Sequence, residues 1–341
     1  MTTLTTSTTP AAVQTVTRGR RILRSVARGL GVAVALIIGL SLAGAGYEAV
    51  AAQGDARAYP PPGQMVDVGG YRLHLLCVGT GGPTVVLDAG LGGTSLDWSL
   101  VQTEIGQTTQ VCAYDRAGMG WSESGPEPRT PEQNARELHA LLTNASLEGP
   151  YVLVGHSLAG KNVRMFALLY PDQVAGMVLV DARSEYVDDR TSPAEAKAFK
   201  NLYAVLANAY KAARGLGLMR LIGANVVGAP ALSAETRAAI AMVAYAPRSQ
   251  DAGIAEANAR EASDVQLAAA PSLGDRPLRV LASEQNMTAE PNWPEAQRLM
   301  AALSTQGQLI VPAGSSHYIH WDHPAVVIDA VRQVVEQVRG E

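Results

Sequence analysis

Cysteine is almost missing from this chain, with only Cys77 and Cys112 among 341 residues. Two thiols cannot build the multi-bridge framework of a small secreted domain or a four-thiolate zinc site, so at most one disulfide is available. Charge is also sparse, at 17% of residues, and the formal net charge is −4. Over most of the chain the basic residues do not cluster, so the electrostatic footprint that nucleic acid requires is absent and no nucleic-acid partner is expected. Internal repeats are lacking, and the only low-complexity tract is a Thr-rich start. What is present is 47% hydrophobic, enough to bury a full core and too apolar for a disordered chain. The length suggests roughly two to three domains, or one α/β unit carrying an insertion.

Charge disappears entirely between Gly29 and Tyr47, and Arg18, Arg20, Arg21, Arg24 and Arg28 stand just before that stretch. At about 1.5 Å per residue, a helix here nearly spans a hydrocarbon core of about 30 Å. The arginine bias puts residues 1–28 in the cytoplasm and everything after about residue 50 outside it. A transmembrane anchor over 29–47 is therefore expected. Its rivals are a buried helix of a soluble domain, the weakest reading, and a signal sequence cleaved near Ala49-Val50-Ala51, which the apolar length disfavours because signal cores run to about 7–15 residues. Arg20-Arg21 fits a twin-arginine signal poorly. Without residues 1–50, 22 basic groups face 30 acidic ones, so the exported part is acidic and unlike a polybasic lipid-binding module.

From Pro60 onward short β-rich runs alternate with helical patterns. The runs are MVDVG, YRLHLLCV, TVVLDA, TQVCAYD, YVLVG, MVLVDA, LRVLA and QLIVPA, which predict eight strands. Thr130-Pro131-Glu132-Gln133 reads as a capping box opening a helix, and Val327, Val331, Val334 and Val338 keep one face of a last helix apolar. Such alternation predicts a mostly parallel sheet covered on both faces. It breaks between about Ser184 and Pro277, a segment rich in Ala, Glu and Arg that reads as helices inserted between the sixth and seventh strands. Leu216, Leu218, Met219, Leu221 and Ile222 give this insertion an apolar stretch, which is either decoration or a lid over a pocket.

Gly155-His156-Ser157-Leu158-Ala159-Gly160 follows the apolar run YVLV and precedes a helical pattern. A serine on so sharp a strand-to-helix turn presents its hydroxyl above the sheet, and small neighbours are needed where the two backbones pass closely. This is a nucleophile elbow in which Ala159 replaces the usual last glycine.

With AGLGG, YDRAGMGWS, GHSLAG and a late histidine, the chain from about Pro60 resembles the α/β-hydrolase fold family, and more narrowly membrane-anchored bacterial serine hydrolases of esterase or lipase type. The resemblance implies an eight-stranded mostly parallel sheet with helices on both faces, its core split into 60–183 and 278–341 around a helical cap at 184–277. It implies an oxyanion hole from the backbone N–H groups of Leu91 and Leu158. It also makes the strands bearing Cys77 and Cys112 neighbours, so a disulfide is expected in an oxidising compartment. Asp115-Arg116-Ala117-Gly118 resembles the family's structural turn after the fourth strand.

A serine needs a base within reach, and the family's chain order of serine, acid and histidine points to His317 in Gly314-Ser315-Ser316-His317. His156 occupies the elbow's variable position, and His74 and His139 read as structural. The acid is less plain, because Asn286 stands where the family's aspartate after the seventh strand would sit. Asp181, closing the sixth strand, is placed ahead of Glu284. His317, His320 and His323 with Asp322 also invite a zinc reading, but Pro324 breaks the spacing and Asp322 is better read as the cap of the last helix. No metal and no cofactor are expected.

The expected activity is hydrolysis of a small-molecule carboxylic ester through an acyl-enzyme, with Met219 and Leu221 in an acyl pocket and the catalytic domain anchored outside the cytoplasm. Two other readings stay open: a catalytically silent, membrane-tethered ligand-binding protein, motivated by Asn286, and more remotely a metal-dependent hydrolase.

Overall fold

A computed structural model describes residues 12–188, 193–218, 231–268, 270 and 272–341. The eight runs form the strands β1 (Gln64–Asp67), β2 (Arg72–Val78), β3 (Val85–Asp88), β4 (Val111–Tyr114), β5 (Tyr151–His156), β6 (Val174–Val180), β7 (Leu278–Leu281) and β8 (Gly307–Ile310). They make one sheet in the order β1-β2-β4-β3-β5-β6-β7-β8. Only β1–β2 and β2–β4 pair antiparallel, and every other pair is parallel.

The period of two along the strands explains the layers. On β5, Leu153 faces one core cluster while Val152 and Val154 face the other, and Met177 and Leu179 alternate with Val178 and Val180 on β6. The first cluster is closed by Leu138, Leu141 and Leu142 of α3 (Pro131–Asn144) and by Val163 and Phe166 of α4 (Ala159–Leu169). The second is closed by Val101 and Ile105 of α2 (Ser99–Ile105) and by Val327, Val331, Val334 and Val335 of the C-terminal helix, Pro324–Arg339.

Two local predictions change. Thr130 caps α3 by accepting the Gln133 N–H at 3.2 Å, but the Gln133 side chain turns to Glu137 at 2.9 Å, so the box is half made. Glu137 is already clamped by Arg129, and that buried pair draws the amide in. Asp322 accepts the Ser316 N–H at 2.7 Å and does not cap the last helix, whose N-cap is His323. The Cys77–Cys112 disulfide joins directly opposed residues of β2 and β4.

Helix α1 (Ala12–Ala58) contains an apolar span, Leu23–Asp55, with mean hydropathy 2.1 and none of its window buried. It is long and apolar enough to cross a membrane, and a signal sequence near an N-terminus has the same character. Every described element between β6 and β7 is helical: the short turn Glu185–Asp188, then α5 (Pro193–Gly215), α6 (Ala234–Tyr245), α7 (Pro247–Asn258) and α8 (Arg260–Ala268). These helices are pinned to the sheet by buried charge. Glu256 of α7 takes the Arg116 guanidinium at 2.6 Å, and Lys161 of α4 pairs with Asp264 of α8. Met219, Leu221 and Ile222 lie outside the described residues.

Candidate active site

Ser157 stands between β5 and α4 with φ at 53°, a left-handed backbone that costs a side chain about 1–3 kcal/mol. The turn is tight enough to require its glycines. A Cβ at Gly155 would meet the Ala159 carbonyl oxygen at 2.7 Å, and one at Gly160 would meet Ala182 at 2.5 Å. The Ser157 N–H donates to the Val180 carbonyl at 3.1 Å, and the Arg183 N–H donates to the Ser157 carbonyl at 2.9 Å. The elbow is thus bolted to the end of β6, and the methyl of Ala159 is accommodated fully buried.

His317 sits in the loop after β8. Its Nε2 lies 2.9 Å from Ser157 Oγ and its Nδ1 lies 2.6 Å from Asp181 Oδ2. An acceptor-only carboxylate at Nδ1 fixes the proton there, which leaves Nε2 free to accept from the serine hydroxyl. The loop is held from several sides. Gly314 N–H donates to Glu284 at 2.8 Å, Ser316 N–H donates to Asp322, and His156 Nε2 donates to the His317 carbonyl at 2.9 Å. Burial, followed by the neighbouring His320 and His317, pushes His156 far below its ordinary value, so the ring serves as a neutral donor. His320 is likewise pushed down to about 3 by burial and by His317.

Asp181 directly follows β6, fully buried, with φ at 40°. Its carboxylate accepts from the Ser283 N–H at 2.8 Å, Ser283 Oγ at 2.9 Å, Trp293 Nε1 at 2.9 Å, Asn286 Nδ2 at 2.6 Å and His317. Burial by itself would raise its pKa, but the His317 and Ser283 hydrogen bonds outweigh it and hold the carboxyl below the usual range. Asn286 Nδ2 also approaches His317 Nδ1 to 3.3 Å. Asparagine at this place has a physical reason, since a second carboxylate so close to Asp181 could not ionise alongside it. Glu284, the alternative acid, gives its carboxylate to the Gly314 N–H, and the carboxylate that lies at the His317 ring is that of Asp181.

The loop after β3 passes over the elbow, and a Cβ at Gly90 would meet Ser157 Cβ at 3.2 Å. Arg116 holds this loop from below, donating to the carbonyls of Ala89 at 2.5 Å and Gly90 at 2.7 Å and to Asp88 at 2.6 Å. The turn that carries Arg116 therefore positions the loop of Leu91. Leu158 opens α4 directly after the serine. A cavity of about 390 Å³ runs over Ser157 and His317, walled by Leu91 and Thr94 of the loop, Asp97, Tyr318 and Trp321, and by Ile240 and Val243 of α6. The cap wall of the cavity is thus α6 as far as the described residues show. His317, His320, His323 and Asp322 do not converge, and among the described residues no three His, Cys, Asp or Glu side chains form a metal-binding group.

Sequence reasoning missed Ser283, Trp293 and Asp97. Ser283 caps the short helix Glu284–Ala289 by accepting the Asn286 N–H at 3.1 Å, a Ser-x-x-Asn spacing visible in the sequence. Trp293 reaches Asp181 across 112 residues and left no local signal.

The alpha/beta hydrolase family model matches residues 85–330, from β3 to the last helix. The chain belongs to that family. Relatives include the Bacillus subtilis protein YqjL, 26% identical over 260 residues, covering 75% of this chain and 85% of that one. The probable transporter efuK of Hormonema carpetanum is 32% identical over 134 residues, 37% of this chain, and the match spans only 19% of efuK. Among solved structures, a thermophilic esterase from Thermogutta terrifontis superposes with TM-score 0.59 at 24% identity, over 81% of this chain and 98% of its own. The epoxide hydrolase CorEH superposes with TM-score 0.60 at 18% identity, over 80% and 97%. Such likenesses show the alpha/beta hydrolase fold, which hosts several chemistries.

Proposed function

We propose that the chain is a serine hydrolase that cleaves a carboxylic ester through an acyl-enzyme. The observation that carries this reading is the continuous line Ser157 Oγ, His317 Nε2, His317 Nδ1 and Asp181 Oδ2, with spacings of 2.9 and 2.6 Å. Ser157 Oγ attacks the ester carbonyl as Nε2 takes its proton. The Leu91 and Leu158 amides receive the oxyanion, and the imidazolium, steadied by Asp181, returns the proton to the leaving alcohol. Water then repeats the sequence on the acyl-enzyme, and no cofactor enters any step. Asn286 supports Asp181 and leaves the acid in place, which favours an enzyme over a silent binding protein. The apolar wall of Ile240 and Val243 suits a lipophilic acyl chain.

In this reading α1 is a membrane anchor, or an export signal, that places the catalytic domain outside the cytoplasm. The disulfide supports an oxidising compartment. A fluorophosphonate probe followed by peptide mass spectrometry tests the chemistry. The expected adduct is on Ser157, and it disappears in Ser157→Ala together with ester turnover, by about 10⁴-fold or more. An unmodified Ser157 under conditions that label a control esterase overturns the proposal.

A further inference from the structure

Among the described residues Asp97 is the one carboxylate in the cavity wall, and the catalytic chemistry above does not use it. Its residue is only 8% exposed, yet among the described residues its carboxylate accepts a single hydrogen bond, from the Thr94 N–H at 3.2 Å. No described cation pairs with it. The nearest guanidinium, Arg116, is fully spent on Asp88, Glu256 and the Ala89 and Gly90 carbonyls. Thr94 Oγ1, on the same wall, is buried without a partner. Capping the four-residue turn Ser95–Trp98 accounts for the bond to Thr94, but a cap needs neither this burial nor a place in a cavity wall. A buried carboxylate without countercharge is costly, and folds keep such groups where a ligand completes them.

The surroundings say which ligand. Tyr318 and Trp321 stack at 4.2 Å between centroids and 7° between planes, and both line the cavity. Trp321 Nε1 donates to the Asp97 carbonyl at 2.9 Å, which locks the ring pair to the loop that carries the carboxylate. A carboxylate beside two aromatic side chains in one cavity wall matches an ammonium group, by charge pairing and by attraction to the rings. A hydroxyl would satisfy a hydrogen bond and leave the charge uncompensated. The acidic exterior of the exported part would also draw cations toward the mouth.

We propose that Asp97 binds a protonated amine of the substrate, so that the cavity selects cationic esters over neutral ones of the same shape. This rests on the hydrolase reading and adds the substrate class to it.

The test uses two isosteric pairs: ethyl 4-aminobutanoate against ethyl pentanoate, and a 2-(dimethylamino)ethyl ester against the 3-methylbutyl ester of the same acid. The first puts the cation in the acyl part and the second in the alcohol part. Each ester is scored at pH 8 by how strongly it slows fluorophosphonate labelling of Ser157, which reads occupancy of the cavity whether or not the ester turns over. The cationic member of at least one pair is expected to protect at about 10- to 100-fold lower concentration, the range for a hydrogen bond to a charged group. Asp97→Asn brings that ratio close to one. Because the ratio is taken within one preparation, partial misfolding of the variant does not alter it. Equal protection in both wild-type pairs, a ratio that survives Asp97→Asn, or better protection by a hydroxyl analogue overturns the inference. Failure of Ser157 to label at all instead overturns the hydrolase reading beneath it.

Discussion

Asp181 and Asp97 are two carboxylates of one site, buried almost equally at 0% and 8% exposure, and their chemistry diverges. Asp181 collects donors from Ser283, Asn286, Trp293 and His317 and is held below the ordinary carboxylate value. Among the described residues Asp97 has the Thr94 amide alone, and burial pushes it up to about 7, with Asp115 adding to the rise and Arg116 opposing it. Burial therefore does not decide the charge of a carboxylate in this pocket. The number of donors does, and a group supplied with five is an anion before any ligand arrives, whereas one supplied with a single amide waits for a partner.

The comparison breaks most severely at Asp181. In Asp181→Asn the amide cannot stabilise an imidazolium, and kcat is expected to fall by about 10⁴-fold. Glu284→Gln should change kcat by less than a few-fold, because its carboxylate only steadies the Gly314 amide. A steady-state assay on one ester separates the two, and the reverse ranking would move the acid to the seventh strand.

A sharper version exchanges the partners. Asn286 lies 2.6 Å from Asp181 and 3.3 Å from the His317 ring nitrogen, so either position can present an oxygen to Nδ1. Asn286→Asp alone should lower kcat by roughly 10- to 100-fold near neutral pH, since two carboxylates at that spacing share a proton. The double change Asp181→Asn with Asn286→Asp should then recover about 10²-fold of what Asp181→Asn loses. Simple addition of the two single losses would show that only the β6 position can serve.

Much of this was legible in the sequence, for reasons that can be traced. The eight strands announce themselves because buried parallel strands are continuous apolar runs, as in YVLVGH and VAGMVLV. Ser157 and His317 are carried by a local turn motif and by chain order. Asp181 was placed ahead of Glu284 by a small margin, because the donors that surround it, Ser283, Asn286 and Trp293, stand over 100 positions away in the chain. Asp97 left no sign at all. An acid next to a tryptophan, three residues after a threonine, reads as an ordinary cap, and only the packing of Tyr318 and Trp321 against its loop turns it into a wall of the cavity.

The smallest expected effect concerns stability and isolates Asp97 from catalysis. Its folded value, about 7, lies above the unfolded value of 3.8. The folded state thus holds this proton more tightly, and the associated stability is complete below pH 3.8 and is lost as pH rises through about 7. Asparagine does not titrate, so Asp97→Asn escapes that loss while its side-chain oxygen can still accept from Thr94. The Tyr318 phenol, which burial and the Asp97 charge raise above its ordinary value of 10, and the Arg116 guanidinium both keep their charge state over the range compared, so neither enters the difference. Between pH 5 and pH 8 the advantage of Asp97→Asn over wild type should grow by about 2–3 kcal/mol, from the two units of pH over which only the unfolded chain is ionised. Differential scanning calorimetry at the two pH values should show the Tm gap widening by roughly 5 °C. A gap independent of pH would mean that Asp97 is already ionised at pH 5 in the folded chain. The contrast with Asp181 would then have to be sought in geometry alone.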